Sequence, residues 1–188
     1  LSLGRFPFVK FVGPLAVIGM SSAVPRPPLV AAGELGVKQL EALERILAHD
    51  EVRRRTPIIA LHHPIHNPPS RVKAWVEGLR DATALYDAIA SVSSGMLLHG
   101  HLHGRMQRTL ATRAGSILSV GATSASLHHD DEHRMAGFNL YEFLMYLSSI
   151  SGISIIIDPY WFDDPTGARP WRESLDPVGV LLLGAAVI

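Results

Sequence analysis

A chain of 188 residues, 47% of them hydrophobic and 18% charged, has the make-up of an ordinary globular domain. Lys plus Arg and Asp plus Glu both number 17, so the zero net charge gives no electrostatic footing for nucleic acid or another polyanion. Cysteine is absent, which excludes disulfides, thiolate metal sites and cysteine nucleophiles, and leaves metal chemistry to His, Asp, Glu and Asn.

The first residues, Leu1-Ser2-Leu3-Gly4-Arg5-Phe6, lack the basic start, long apolar stretch and small-residue cleavage site of an export signal. The longest apolar run, 178–188, falls well short of the roughly 20 residues a helix needs to cross a bilayer. The expectation is a soluble, cytoplasmic protein with no membrane span.

Two strands are expected over 6–12 and 14–19, joined as a hairpin at Gly13-Pro14. The stretch 21–32 reads as a loop, because Pro25, Pro27 and Pro28 exclude regular structure. Over 37–49 Leu40, Leu43, Ile46 and Leu47 recur at helical spacing, with Lys38, Glu41, Glu44 and Arg45 facing away and Gly36 as the cap. A polar segment, 50–55, closes that unit. A strand over 57–61 follows, then a proline-rich loop over 65–70. A second helix is expected over 81–92, with Ala82, Leu85, Tyr86, Ile89 and Val92 on one stripe. Strands then read over 95–98, 106–110 and 116–120, and a closing strand over 137–143. The order strand–helix–strand–helix–strand followed by hairpins suits a layered α/β sandwich. From residue 144 the composition changes, and 150–160 reads as a helix end, a glycine and a strand. It has a short likeness to the N-terminal module of secretins and TonB-linked receptors.

Two of these strands end in histidine. Ile58-Ile59-Ala60-Leu61 runs into His62-His63-Pro64, and Gly95-Met96-Leu97-Leu98 runs into His99-Gly100-His101-Leu102-His103. In open α/β sheets, ligands gather beyond the carboxyl ends of the strands, and neutral imidazole suits zinc, iron and manganese. A third cluster, His128-His129-Asp130-Asp131-Glu132-His133, has no flanking apolar strand and reads as a variable loop.

Leu61-His62-His63-Pro64 and Gly100-His101-Leu102-His103 resemble the last two metal motifs of the calcineurin-like metallophosphoesterase superfamily. That superfamily includes class III cyclic-nucleotide phosphodiesterases and glycerophosphodiesterases. The likeness extends over Ile18-Gly19-Met20-Ser21-Ser22, Gly33-Glu34-Leu35-Gly36, Gln39 to Glu44, Gly121-Ala122-Thr123-Ser124 and Gly137-Phe138-Asn139-Leu140-Tyr141. It implies an αββα sandwich in which two divalent ions (Mn, Fe or Zn) activate water to hydrolyse a phosphomonoester or phosphodiester. By that resemblance His62 and His101 would hold one ion and His103 the other. His63 would point elsewhere, toward the substrate phosphate or into a structural role.

The family's earlier motifs, Asp-x-His, Gly-Asp and Gly-Asn-His, do not occur ahead of these two. Residues 1–143 are therefore expected to be the C-terminal half of such a domain, incomplete at the N-terminus, with 144–188 a tail of uncertain origin. Half a sandwich leaves an apolar edge and face that invite pairing, so a marginal monomer or an oligomer is expected. The expected substrate is a small-molecule or lipid phosphoester, with activity impaired in this chain alone. Two alternatives remain open: a non-catalytic interaction module retaining part of a metal site, and a structural zinc domain drawing its fourth ligand from near His128.

Overall fold

A computed structural model describes residues 6–131, 134–146, 149–158 and 180–183. The chain is α/β. Its elements run β1 (Phe8–Val12), β2 (Leu15–Gly19), α1 (Val37–Ala48), α2 (Asp50–Arg53), β3 (Thr56–Ala60), α3 (Arg71–Glu77), α4 (Ala82–Ala88), β4 (Ser94–His99), β5 (Met106–Ala111), β6 (Ser116–Gly121), β7 (Phe138–Tyr146), β8 (Ser149–Asp158) and β9 (Val180–Leu183). They divide into two compact units: Leu1–Leu102 with Met106–Gly121, and His103–Arg105 with Ala122–Ile188.

The first unit is built on a six-stranded mixed sheet, ordered β1-β2-β3-β4-β6-β5. Strands β2, β3, β4 and β6 are parallel, while β1 and β5 are antiparallel edge strands. Central strands of a parallel sheet are buried on both faces and read as continuous apolar runs rather than alternations. That is the pattern of Pro57-Ile58-Ile59 in β3 and of Gly95 to His99 in β4, all buried.

Ala16, Ile18, Ile59, Leu97 and Ile117 share one sheet face through the strand register. There they join Leu40, Leu43 and Leu47 of α1 and Ala82, Leu85 and Ala88 of α4 in a single buried cluster. Each fully buried leucine contributes about 1.5–3 kcal/mol of apolar transfer. The starts of the two helices are tied by the Asp81 carboxylate, which accepts from the Leu35 (2.9 Å) and Gly36 (2.7 Å) backbone N–H groups.

The structure differs from the expected elements in three places. Helix α4 ends at Ala88, and Tyr86 faces outward rather than joining the stripe; its hydroxyl donates to the Ala111 carbonyl. Helix α3 has no buried residue, so it lacks the apolar stripe by which a helix is recognised. Residues 150–152 belong to strand β8, where alternating Ile153, Ile155 and Ile157 suit an extended backbone better than a helix end. The remainder of the expected 150–160 segment, 159–160, lies outside the described residues.

The second unit contains a three-stranded antiparallel sheet, β8-β7-β9. Strand β7 runs through residue 144, with a register shift against β8 at Leu144/Met145. Among the described residues no helix is long and apolar enough to cross a membrane.

Candidate metal centre at the sheet rim

Parallel alignment brings the carboxyl ends of β2, β3, β4 and β6 to one rim of the sheet. The pairing of β3 with β4 persists beyond the strands: Leu61 N–H donates to the Leu98 carbonyl and Gly100 N–H to the His62 carbonyl, both at 3.0 Å. This sets His62 and His101 side by side. Their facing nitrogens, His62 Nε2 and His101 Nδ1, are 3.1 Å apart, and the rings meet edge-on at 76°.

His101 reaches this position at an energetic cost. Its φ is 65°, and Leu102 N–H closes onto the Gly100 carbonyl at 2.8 Å, making a three-residue turn centred on His101. A left-handed non-glycine residue costs about 1–2 kcal/mol, and such strain concentrates at functional sites. Strand β4 thus ends before the histidine pair, so the period-two alternation of a strand does not govern the directions of His101 and His103. His103 is also left-handed, with φ 48°.

Among the described residues, His62, His63 and His101 form a group whose ligand nitrogens all lie within 4.8 Å of one another; His103 is not one of the three. His63 is buried, at 4% exposure, and both of its ring nitrogens are engaged. The Ala31 carbonyl can only accept, so His63 Nε2 carries the proton and donates to it at 2.7 Å. His63 Nδ1 therefore accepts from the Ser22 hydroxyl at 2.8 Å, and Ser22 Oγ in turn accepts from the His63 backbone N–H at 3.2 Å. This closed set of bonds fixes a neutral ring in one tautomer. Burial is the main reason the His63 pKa lies below the ordinary histidine value. The nearby Arg26 charge lowers it further, against the opposing pull of the Ala31 bond.

The clamp is also steric. A Cβ on Gly33 would lie 2.3 Å from His63 Nδ1, so only glycine lets the ring seat there. The clamped ring lies against His101, with centroids 4.2 Å apart and planes tilted by 39°. Ser22, the Ala31 carbonyl and Gly33 thus act on the rim through His63. Their one sequence mark is a hydroxyl and small residues just beyond the carboxyl end of β2.

The spacing of two of these rings is that of a hydrogen-bonded pair and equally that of two ligands on one ion. Two nitrogens about 2.1 Å from one ion and subtending about 95° would be separated by the 3.1 Å found between His62 and His101. His63 spends its lone pair on Ser22 and its proton on Ala31, so its Nδ1 could reach such an ion only by giving up the Ser22 bond.

His66 and His99 are further histidines of this unit. His99, the last residue of β4, has both ring nitrogens buried without a hydrogen-bond partner, as does Nε2 of His66. Burial, with a smaller contribution from His66 and opposed by the polarity of the nearby Gly100 backbone, which makes no hydrogen bond of good geometry to the ring, lowers the His99 pKa to about 4. Burial and then Arg108 lower that of His66. In the third histidine cluster, His129 Nδ1 accepts from the Asp131 N–H at 2.9 Å in a local turn, and His128 is exposed. Neither joins a ligand group among the described residues, and Glu132 and His133 lie outside them. No protein-family model matches the chain, and no curated protein matches it.

Proposed function

We propose that this chain comes from a metal-dependent phosphoesterase of the calcineurin-like kind, which hydrolyses a phosphomonoester or phosphodiester on an αββα sandwich, with activity impaired in this chain alone. The observation that carries this reading is the His62–His101 nitrogen pair at 3.1 Å on the carboxyl rim of a parallel sheet. His62 and His101 would hold a divalent ion such as Mn, Fe or Zn. His103 remains the proposed ligand for a second ion. A bound ion there would stabilise charge on the phosphoryl oxygens and make hydroxide available at neutral pH.

The chain's own residues prepare that site. His63 stays neutral and fixed, and its ring backs His101 so that Nδ1 of His101 keeps facing His62. The strained turn on His101 fixes the backbone from which that ring projects. In this reading His63 is a positioning residue rather than a contact to the phosphate, because both of its nitrogens are already bonded.

Titration of the purified chain with Mn²⁺ and Zn²⁺ by calorimetry, alongside hydrolysis of a nitrophenyl phosphodiester, tests the proposal. Binding by the parent, lost in His62→Ala and His101→Ala together with any turnover, is expected. Absence of ion binding, or binding that neither substitution alters, would overturn it. Binding without turnover would favour a non-catalytic module that keeps the site.

A further inference from the structure

The loop before α1 and helix α3 form an apolar lip that no described residue of this unit covers. Leu29 is 97% exposed, Val72 72% and Trp75 60%. They belong together: Ala31 N–H donates to the Val76 carbonyl at 2.7 Å, and Gly33 N–H to the Gly78 carbonyl at 3.0 Å. The loop tip is thereby held along the C-terminal half of α3. Leu29 sits at φ 68°, a left-handed conformation unfavourable for leucine, and gains no burial there. Pro25, Pro27 and Pro28 stiffen the loop that displays it.

The lip is basic at its margin. Arg71 and Lys73 are exposed on α3, and the Arg80 guanidinium lies 5.9 Å from the Trp75 ring centroid. Glu77 is the one carboxylate on α3, and the nearby Glu34 is paired with Arg26 at 2.5 Å. Apolar side chains with an aromatic ring and flanking cations are the composition of a surface that beds into the interface of an anionic bilayer. The lip is also joined to the rim, because the carbonyl of Ala31 holds His63.

We propose that Leu29, Val72 and Trp75, with Arg71 and Lys73, dock the protein on an anionic lipid surface and bring the histidine rim to lipid headgroups. The docking stands on exposure and charge; only the corollary, that the phosphoester is a lipid's, rests on the phosphoesterase reading.

Co-sedimentation of the full chain with phosphatidylcholine vesicles, with and without phosphatidylglycerol, tests it, with light scattering of the free protein alongside. Binding to phosphatidylglycerol vesicles is expected, weakening about five-fold per basic residue removed in Arg71→Ala and Lys73→Ala and falling with added salt. Leu29→Ser with Trp75→Ser should weaken it about ten-fold or more. These positions are exposed, so the variants keep the fold. No vesicle binding, or binding that ignores both sets of substitutions, overturns the proposal. So does a dimer that dissolves in Leu29→Ser/Trp75→Ser while vesicles stay unbound, since a second copy would then be the occupant. A failed phosphoester assay leaves the sedimentation result untouched.

Discussion

Acid should unfold this protein through His99 in a way a single substitution can expose. The ring is buried at the end of β4 with neither nitrogen partnered, and its pKa falls from 6.5 to about 4 in the folded chain. Folding therefore favours the neutral ring. The sign follows: the folded state binds fewer protons than the unfolded one between these values, so stability is full above pH 6.5 and declines as pH falls toward about 4. At 1.36 kcal/mol per pH unit the whole decline amounts to about 3 kcal/mol, a large share of the stability of a domain this size. Urea denaturation followed by circular dichroism at pH 7.5, 6 and 5, in chelator so that no ion stabilises the rim, reads it directly. His99→Leu removes both the titrating group and two unpartnered polar atoms. It should raise stability at pH 7.5 by about 1 kcal/mol or more, and it should flatten the acid decline. A residual slope is expected from His63, whose pKa is also lowered by burial. Equal slopes in parent and variant, or a variant less stable at pH 7.5, would show that the ring is satisfied in solution and refute the reasoning.

The His63 clamp gives two more predictions. Ser22→Ala leaves His63 Nδ1 and the His63 backbone N–H buried without partners, so it should destabilise by about 2 kcal/mol in urea midpoints. Ser22→Thr, which keeps the hydroxyl, should recover part of that, and Mn²⁺ affinity should follow the same order if His63 positions His101. Gly33→Ala drives a methyl to 2.3 Å from the His63 ring and should cost about 2–3 kcal/mol in a thermal melt. An unchanged melting temperature there would mean that the ring does not occupy this seat.

What was legible in the sequence follows from what sequence patterns encode. Buried parallel strands announce themselves as short apolar runs, and α1 as a 3.6-residue stripe, so β3, β4 and α1 were readable to within a residue or two. Helix α3 was not, because Val72 and Trp75 face solvent and Arg71-Val72-Lys73 mimics no buried face. Tyr86 misled for a related reason: an aromatic on an apolar stripe reads as core, yet its hydroxyl found the Ala111 carbonyl at the surface. At the rim, the pairing of His62 with His101 was readable because each histidine follows an apolar strand by two residues and the strands are neighbours in a parallel sheet. The partners of His63 were not. Ser22 is 41 residues away in the chain, and a backbone carbonyl such as that of Ala31 carries no residue-type signal at all.

Adjacent histidines that look equivalent in the sequence are made unlike by where the chain leaves the sheet. Beyond β3, the His62 carbonyl continues the ladder by accepting from Gly100, which leaves the His62 ring beside His101. One residue later the backbone has turned under the loop from β2, and the His63 N–H is taken by Ser22 instead. The second ring is then driven into a buried slot whose two polar walls are a hydroxyl and a carbonyl and whose floor is Gly33. A hydroxyl that both donates and accepts, facing a carbonyl that only accepts, determines a single tautomer with no carboxylate needed. The half-buried His62 ring, by contrast, faces a nitrogen that can share either a proton or a cation with it, and so on the proposed function it is His62 rather than His63 that would respond to metal.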